Sequence, residues 1–287
     1  MKPQAFDYIR AESAQDALDA LAELGADGRI LAGGQSLMAV LNMRLAQPTA
    51  LIDISRTADL DYVTVGQGWM TIGAAATQAK VEWRPDLAAE VPMLAQAIPF
   101  ISHFQIRNRG TVCGSVAHAD PSAELPLALA ALGGEVVLRT RRKQRTVPAE
   151  DFFQGMLMTA RAPDELVAAV RYPLAAPGAR YAFDEFSSRH GDFALASVAA
   201  VADDKQVTLA VGGVADRPTV RRWPRLPAAD LETALNDLAW QLDAQDDAHA
   251  TAVFRRHLVR TLGARALRKV MGAGARGNGE QGNGEHA

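Results

Sequence analysis

Two adjacent glycines, Gly33 and Gly34, follow the apolar residues 30–32, which predict a buried strand. The apolar residues that come next recur at helical spacing: Leu37, Val40, Leu41 and Leu45. A turn without side chains lets a ligand approach the backbone, and the start of a helix presents unpaired N–H groups that suit phosphate. The pattern predicts either a phosphate-binding turn or a simple strand-to-helix turn.

A second stretch, residues 106–126, has the same character and is followed by another helical run. It holds Gly110 and Gly114 among small or hydroxylated residues: Thr111, Ser115, Ala117 and Ala119. Two such turns, each presenting backbone donors, could clamp a diphosphate from two sides.

Three motifs in order along the chain resemble those of one family. They are Ala32-Gly33-Gly34-Gln35-Ser36, then residues 107–115 with His118-Ala119-Asp120-Pro121, then Ser188-Arg189-His190-Gly191-Asp192-Phe193-Ala194. The chain thereby resembles the FAD-binding medium subunits of molybdenum hydroxylases, the carbon monoxide dehydrogenase and xanthine dehydrogenase family. The likeness covers nearly the whole chain except its tail.

The resemblance implies which residues bind FAD. The diphosphate is expected to be held through backbone N–H groups and hydroxyls of two loops: Ala32, Gly33, Gly34, Gln35 and Ser36, and Thr111, Val112, Cys113, Gly114 and Ser115. The neighbouring positions expected to lie beside the cofactor or its flavin are Leu31, Leu37, Ala117 and His118.

The remaining implied contacts are made by acidic and aromatic side chains. Asp120 and Glu124 are expected at the ribityl or ribose hydroxyls. Phe193, beside Asp192, takes the position of an aromatic residue that covers the flavin ring and excludes water; taken alone, it could equally be an ordinary core residue. For His118 alone, a structural role is the default.

The resemblance also implies a mechanism and partners. A large subunit with molybdopterin hydroxylates the substrate, and a small subunit with two [2Fe–2S] clusters passes electrons to the FAD of this chain. The flavin delivers them to an acceptor, so no residue here is expected to be a catalytic acid or base. The expected assembly is a dimer of heterotrimers, a heterohexamer in the cytoplasm.

Two positions depart from the family pattern. Cys113 stands where glycine is usual, so we expect the second loop to be slightly displaced, and Phe193 lacks the hydroxyl of the commoner tyrosine. Cys113 therefore keeps an alternative open, a non-catalytic assembly or scaffold subunit with a degraded cofactor loop. A free-standing flavin oxidase is a third possibility, disfavoured because no acid/base cluster for a substrate is apparent.

Other chemistries find less support in the sequence. No two of the six histidines have a zinc-binding spacing, so no metal site is expected. Gly114-Ser115-Val116-Ala117 lacks the closing glycine of a hydrolase elbow, and no Gly-x-Gly-x-x-Gly follows the first strand. One cysteine among 287 residues excludes a disulfide within the chain.

Composition excludes further classes. With 48% hydrophobic residues the chain can bury a large core, and a net charge of −3 argues against nucleic acid as a partner. A basic turn over residues 139–145 is expected to be a solvated hairpin tip. No apolar run reaches the roughly 20 residues that span a bilayer, so neither membrane insertion nor a secretory signal is expected.

The predicted fold class is α+β. Strands and helices alternate over residues 6–54 and predict a small parallel α/β unit, and resemblance adds a mixed sheet with helices of the PCMH type. These form an FAD-binding domain, residues 1–176, with subdomains at about 1–57 and 58–176. A C-terminal domain of antiparallel strands packed with helices follows over 177–272, and the tail 273–287 is expected to be disordered.

Further elements are predicted along this frame. They are a hairpin at residues 66–68, a helix over 86–98 that Pro92 either bends or starts, a helix over 122–132, a strand from Leu166, strands over 181–186, 196–202 and 207–214, a helix capped by Asp230, and a helix over 250–271 whose basic face is solvated or faces a partner.

Overall fold

In the computed structural model, which describes residues 2–224 and 226–272, the chain forms three larger sheets and one two-stranded ribbon. The first sheet belongs to an α/β unit whose elements are β1 (Asp7–Arg10), α1 (Ala14–Leu24), β2 (Gly28–Leu31), α2 (Leu37–Asn42) and β3 (Ala50–Asp53). Its strand order is β1-β3-β2 and both pairings are parallel, as predicted.

Helix α1 shows why this unit folds locally. Ser13 accepts a hydrogen bond from the backbone N–H of Asp16, and the Asp16 carboxylate accepts one from the N–H of Ser13, a capping box that satisfies two donors at the helix start. Leu18 and Leu21 are buried, and Gly25 ends the helix at φ 56°.

The second unit is longer and contains the second glycine-rich stretch. Its elements are β4 (Val63–Gly66), β5 (Trp69–Gly73), α3 (Gln78–Glu82), α4 (Leu87–Glu90), α5 (Pro92–Ala97), α6 (Phe104–Arg107), α7 (Val112–His118), α8 (Glu124–Ala131), β6 (Glu135–Arg139), β7 (Gln144–Pro148), α9 (Ala149–Phe152), β8 (Phe153–Gly155), β9 (Met158–Thr159) and β10 (Leu166–Pro173). Its main sheet has the order β4-β5-β10-β6-β7, while β8 and β9 pair as the ribbon.

The main sheet is antiparallel throughout, so the expectation of a mixed sheet is wrong. The reason is connectivity: β4–β5 and β6–β7 are hairpins, and β10 enters between them antiparallel to both neighbours. Arg139 and Gln144 pair next to the basic turn of the second hairpin, and that turn is exposed as predicted.

The last unit comprises β11 (Arg180–Ser187), β12 (Ala194–Ala202), β13 (Val207–Gly212), β14 (Thr219–Trp223), α10 (Leu231–Gln241) and α11 (Ala252–Met271). The four strands pair antiparallel in chain order. Strand β14 has no counterpart in the predictions, because its sequence, rich in arginine, lacks an alternating apolar pattern.

The sheet β11–β14 is covered on both faces. Alternate residues such as Val198 pack with α10 and α11, whereas Phe183, Ala199 and Ala210 join the core that contains α8. Helix α8 is buried on all sides. The C-terminal sheet therefore rests directly on the helix that follows the second glycine-rich stretch.

Three local predictions have different outcomes. Helix α2, expected to reach Leu45, ends at Asn42 and Leu45 is exposed, because Arg44 takes a left-handed φ of 57°. Of the two roles predicted for Pro92, the structure shows the start of a helix: α5 begins there, separate from α4, since proline cannot continue the preceding helix. The predicted tail, 273–287, lies outside the described residues.

The basic face of α11 is also not uniformly solvated. Arg255 is buried and donates hydrogen bonds from Nη1 to the backbone oxygens of Leu195 (2.7 Å) and Gly213 (2.6 Å), and from Nη2 to Asp247 (2.5 Å). Arg255 thereby connects α11 to the start of β12 and to the residue that follows β13.

Replacing Arg255 with methionine tests this tie. The Arg255→Met variant leaves two carbonyls without a donor, and we expect its free energy of unfolding to fall by about 2–3 kcal/mol in chemical denaturation. Arg260→Met is the control on the same helix, because Arg260 makes only an exposed bond of 3.3 Å to Asn236. Equal losses in the two variants would contradict a special role for Arg255.

Candidate functional site at two touching glycine turns

The first glycine turn lies between β2 and α2. Gly34 has a φ of 75°, which a side chain rarely adopts, and the Gln35 amide Nε2 donates to the backbone oxygen of Gly33 at 3.0 Å. The strand ends at Leu31, one residue before the predicted end at Ala32, and Leu37 begins the helix as predicted. Ser36 precedes the helix, but its hydroxyl does not cap it. The turn is held by its backbone and leaves that hydroxyl accessible.

The two predicted turns are in direct contact. A Cβ atom added to Gly33 would lie 2.1 Å from the backbone oxygen of Arg109 and 2.7 Å from the Cα of Gly110. No side chain fits there without moving the backbone. The structure therefore brings together Gly33 and the start of the second motif, which stand some 75 positions apart in the chain as printed.

The first turn carries a row of free donors. Within residues 2–224 and 226–272, no oxygen acceptor is found for the backbone N–H groups of Gly33, Gly34, Gln35 and Ser36. Backbone donors are normally paired when they leave water. Four consecutive half-exposed donors beside a second turn form a donor set suited to an anion.

The second motif was predicted to be a loop. In the structure its residues 112–115 form the beginning of α7. Thr111 is the N-cap, and its hydroxyl accepts a hydrogen bond from the N–H of Gly114 at 3.0 Å. A Cβ on Gly114 would lie 2.6 Å from that hydroxyl oxygen, which explains the glycine. Val112, Ser115, Ala117 and His118 belong to the same helix.

Cys113 does not displace this segment, contrary to the expectation. It lies within regular helix, and its thiol points into the core, where Sγ donates to the backbone oxygen of Ile72 at 3.3 Å. Burial raises the pKa of the Cys113 thiol far above its usual range. The side chain at this position therefore faces away from the turns, and among the described residues its N–H has no acceptor.

A short bridge fixes the second turn from behind. Thr77 and Thr111 form an antiparallel bridge, flanked by hydrogen bonds from Gln78 N–H to Gly110 (2.8 Å) and from Val112 N–H to Ala76 (3.3 Å). The side chain of Gln78 is buried and its Oε1 atom has no partner among the described residues. Sequence reasoning missed Gln78, because nothing local marks a residue that acts through a bridge to a distant turn.

The residues after α7 turn sharply. Ala119 adopts a left-handed φ of 54° and accepts a hydrogen bond from Leu157 in the β8–β9 connection at 3.1 Å. The Asp120 carboxylate accepts from the N–H of Ser122 at 2.9 Å, a local turn contact that leaves its other oxygen free. Burial lowers the pKa of His118, so this ring is neutral near pH 7 despite the nearby Asp120.

Glu124, the first residue of α8, is a buried carboxyl group. Burial raises its pKa to about 7, and the nearby Asp120 adds to the increase. Such a group holds a proton over much of the neutral range. It can therefore donate as well as accept a hydrogen bond, which suits it to ligand hydroxyls.

Glu185 on β11 faces this region and was missed by sequence reasoning. It pairs in register with Ser197, which pairs with Gly212, and a Cβ on Gly212 would touch Leu127 of α8. Both carboxyl oxygens of Glu185 are buried without a partner among the described residues. Burial raises the pKa of Glu185 to about 8, and the negative charge of Glu124 is the next largest cause of the increase.

Asp192 and Phe193 lie in the connection between β11 and β12. The Phe193 side chain is 72% exposed, so the alternative of an ordinary core residue is wrong. Gly191, at φ 85°, packs against the backbone of Ser102, just ahead of α6. The third motif thus lies next to the segment that leads into the second.

A separate cavity of about 330 Å³ opens on the other side of the β4–β10 sheet, lined in part by Tyr62, Arg139 and Arg171. It shares no residue with the glycine turns. In the part of the chain that the structure describes, no group of three or more His, Cys, Asp or Glu residues is arranged to hold a metal. No helix within those residues is both long and apolar enough to cross a membrane.

Substituting Gly33 tests the contact between the turns. Gly33→Ala forces a Cβ against the Arg109 carbonyl, and we expect the free energy of unfolding to fall by about 2 kcal/mol in chemical denaturation of the ligand-free protein. Gly66→Ala is the control, because no atom lies within 4 Å of a Cβ built there. If both variants were as stable as the parent, the turns would not touch as described.

The buried carboxyl pair makes a prediction about pH. Glu185 has an ordinary pKa of 4.5 when unfolded and about 8 when folded, so the unfolded state loses its proton first as pH rises. We expect the free energy of unfolding to decrease between about pH 5 and pH 8, and Glu185→Gln to reduce that decrease by about 1 kcal/mol or more.

Chemical denaturation of both proteins at the two pH values measures this difference. Glu23→Gln, on the exposed side of α1, is the control and should leave the pH dependence as in the parent. A parent whose stability rises over that interval would show that Glu185 is ionised and paired in the folded protein.

Comparison with known proteins places the chain. The profile of a family described as "FAD binding domain in molybdopterin dehydrogenase" matches residues 4–175. The nicotine 6-hydroxylase medium subunit of Paenarthrobacter nicotinovorans is 38% identical, over 96% of this chain and all of that protein. The 6-hydroxypseudooxynicotine dehydrogenase complex subunit alpha of the same organism is 35% identical, over 94% and 96%.

Solved structures agree with the sequence comparison. A reconstituted carbon monoxide dehydrogenase from Oligotropha carboxidovorans superposes with a TM-score of 0.89 at 30% identity, covering 95% of this chain and 99% of the matched one. The resemblance read from the three motifs is confirmed, and so is the α+β class. The chain belongs to the family of FAD-binding domains of molybdopterin dehydrogenases, as an oxidoreductase subunit of the medium type.

Proposed function

We propose that this chain carries FAD between partner iron–sulfur clusters and an external electron acceptor, and that the touching glycine turns hold the FAD diphosphate. The observation that supports this most directly is the row of unpaired N–H groups from Gly33 to Ser36 against Arg109 and Gly110. Backbone donors suit a diphosphate because its charge is spread over several oxygens.

The hydrogen-bond donors of the two glycine turns suit a diphosphate group. Ser36 and Ser115 add hydroxyls to the backbone donors of Gly33–Ser36 and Cys113, while the Cys113 side chain is turned into the core. No lysine or arginine is needed at the diphosphate in this arrangement. Leu31 and Leu37 flank the first turn and supply apolar contact for the cofactor.

Acidic groups serve the hydroxyls of the cofactor. In this proposal Asp120 accepts from a ribityl or ribose hydroxyl through its free oxygen, and protonated Glu124 donates or accepts there. Ala117 and His118 lie on α7, which precedes these acids in the chain, and in this proposal they lie beside the flavin. The neutral His118 ring adds no positive charge that would favour a reduced, anionic flavin.

Phe193, with Asp192 before it, covers the flavin ring in this proposal. Its side chain is 72% exposed, and an aromatic face on the ring would shield both from water. When bound, FAD would supply the redox chemistry, taking up electrons one at a time and passing them to an acceptor. The residues of this chain bind, orient and shield, and none acts as a catalytic acid or base.

The partners follow from the family. We propose a large subunit with molybdopterin, a small subunit with two [2Fe–2S] clusters, and a dimer of such heterotrimers. Two named relatives are a medium subunit and a subunit of a dehydrogenase complex, which supports a multi-subunit enzyme. In this proposal residues 1–176 form the FAD-binding domain and 177–272 the C-terminal domain, and the hydroxylated substrate binds to the large subunit.

The scaffold alternative loses its motivation. It depended on Cys113 degrading the cofactor loop, and Cys113 lies instead in a regular helix with its side chain in the core. No observation in the structure favours a subunit without FAD.

A matched pair of glycine variants tests the FAD site. Gly34 and Gly68 have left-handed φ values of 75° and 81°, but Gly68 lies in the exposed β4–β5 hairpin with open space around it. Alanine strains both backbones alike. We expect Gly34→Ala to lower the FAD content of the purified complex about tenfold or more, because it moves the row of N–H donors. Gly68→Ala should retain FAD.

The measurement is the FAD released on denaturation, per mole of chain, with the visible absorbance spectrum recorded first. A parent complex that releases no FAD would end the proposal. Equal loss in the two variants would mean that strain alone, and not the first turn, controls FAD content.

A further inference from the structure

Arg107 is the last residue of α6 and belongs to the second motif, yet it is not among the residues proposed to touch FAD. Its Nε and Nη2 atoms donate to the two carboxylate oxygens of Glu82, each at 2.8 Å. The two side chains are only 11% and 16% exposed. A bidentate pair this well covered fixes the plane of the guanidinium.

The remaining donor, Nη1, points at the turn before α6. It donates to the backbone oxygen of Ile101 at 2.8 Å and to that of Ser102 at 3.3 Å. Ser102 has a left-handed φ of 40°, which is unfavourable for a residue with a side chain. Such a conformation persists only where its surroundings hold it, and Arg107 binds both carbonyls of the turn.

The third motif rests on that turn. A Cβ on Gly191 would lie 3.0 Å from the oxygen of Ser102 and 3.1 Å from its carbonyl carbon and Cα. The neighbouring His190 ring lies 6.4 Å from that of Phe100. Asp192 donates its N–H to Arg189 at 3.0 Å and closes the loop, and Phe193 follows at once.

We propose that Arg107, oriented by Glu82, is a positioning residue that sets Phe193 at the flavin through Ser102 and Gly191. The inference rests on the proposed function in one respect, that Phe193 covers the flavin ring. Arginine is required because one planar group must reach a carboxylate and two carbonyls at once, which the single ammonium of lysine cannot do. If Arg107 only stabilised the fold, its substitution would not change the conformation of residues 188–193.

The experiment compares Arg107→Met with Arg84→Met in the purified complex. Arg84 is a matched control, since it forms a similar covered pair with Glu90 at 2.7 Å but does not contact the turn at Ser102. Amide hydrogen exchange of residues 188–193 reports the loop, and iodide quenching of flavin fluorescence reports access to the ring. FAD dissociation constants are measured alongside.

We expect Arg107→Met to accelerate exchange in the loop about tenfold or more, as a locally opened segment does. The iodide quenching constant should rise at least about twofold, while FAD affinity changes by less than about threefold, because the diphosphate contacts remain. Phe193→Ala should raise quenching by a similar factor, and the double variant should add nothing further, since both act on one contact.

Several results would overturn the inference. One is an Arg107→Met variant that is less stable than the parent but has the same amide exchange in residues 188–193 and the same iodide quenching. Another is an Arg84→Met variant whose exchange and quenching increase as much as those of Arg107→Met. Should Arg107→Met fail to fold, Gly191→Ala perturbs the same contact from the loop side and must give the same increases. A parent without FAD would refute the proposed function, and the exchange data would still decide whether Arg107 holds the loop.

Discussion

The approach of Gly33 to the Arg109 carbonyl is the contact on which the site depends. Hydrogen is the only substituent that the space allows, so two turns from separate sheets can share one surface only through glycine. Where they touch, the N–H groups of residues 33–36 have no acceptor within residues 2–224 and 226–272. Donors of this kind suit an anion, and in the proposed function that anion is the FAD diphosphate.

Burial explains how the carboxyl group of Glu124 could form hydrogen bonds with the hydroxyls of the proposed cofactor. The sheet β11–β14 packs directly on α8, and this contact removes water from Glu124 and Glu185. Both carboxyls have raised pKa values because burial penalises the charged form; the charge of Asp120 adds to the increase at Glu124, and the charge of Glu124 adds to the increase at Glu185. A contact between two units of the fold thus sets the protonation of a residue in the site. The stability of that contact and the chemistry of the site therefore depend on pH together.

The parts that the sequence predicted are those with local causes. The strand before the first glycine pair and the hairpin at Gly66 are both encoded within a few neighbouring residues. The two turns could be recognised in the sequence because a ligand held by backbone N–H groups requires glycines at fixed positions. Their grouping into one family site came from resemblance, and the Gly33–Arg109 contact gives it a physical reason.

The parts that escaped prediction have distant causes. Gln78 bonds through its backbone N–H to Gly110, and Glu185 is buried near Glu124, so both residues depend on elements far away in the chain and no local pattern marks them. Arg255 looked solvated because its neighbours on α11 are basic, but the sheet edge that buries it is about 60 residues away, by the separation of its bond to Leu195. The helix that begins after Thr111 was expected to be a loop, since glycine and serine are poor helix formers, although the Thr111 cap that accepts from Gly114 is a local contact.

A site built on backbone donors divides its residues into two kinds. Positions whose side chain would enter the contact, such as Gly33, allow no change, whereas positions whose side chain points away are free to vary. Cys113 belongs to the second kind, because its thiol points into the core and bonds to the Ile72 carbonyl there. The departure from the family's glycine at this position therefore leaves the donor set intact. Orientation of each Cα–Cβ bond, and not the identity of the residue, decides whether a substitution in the motif damages the cofactor site.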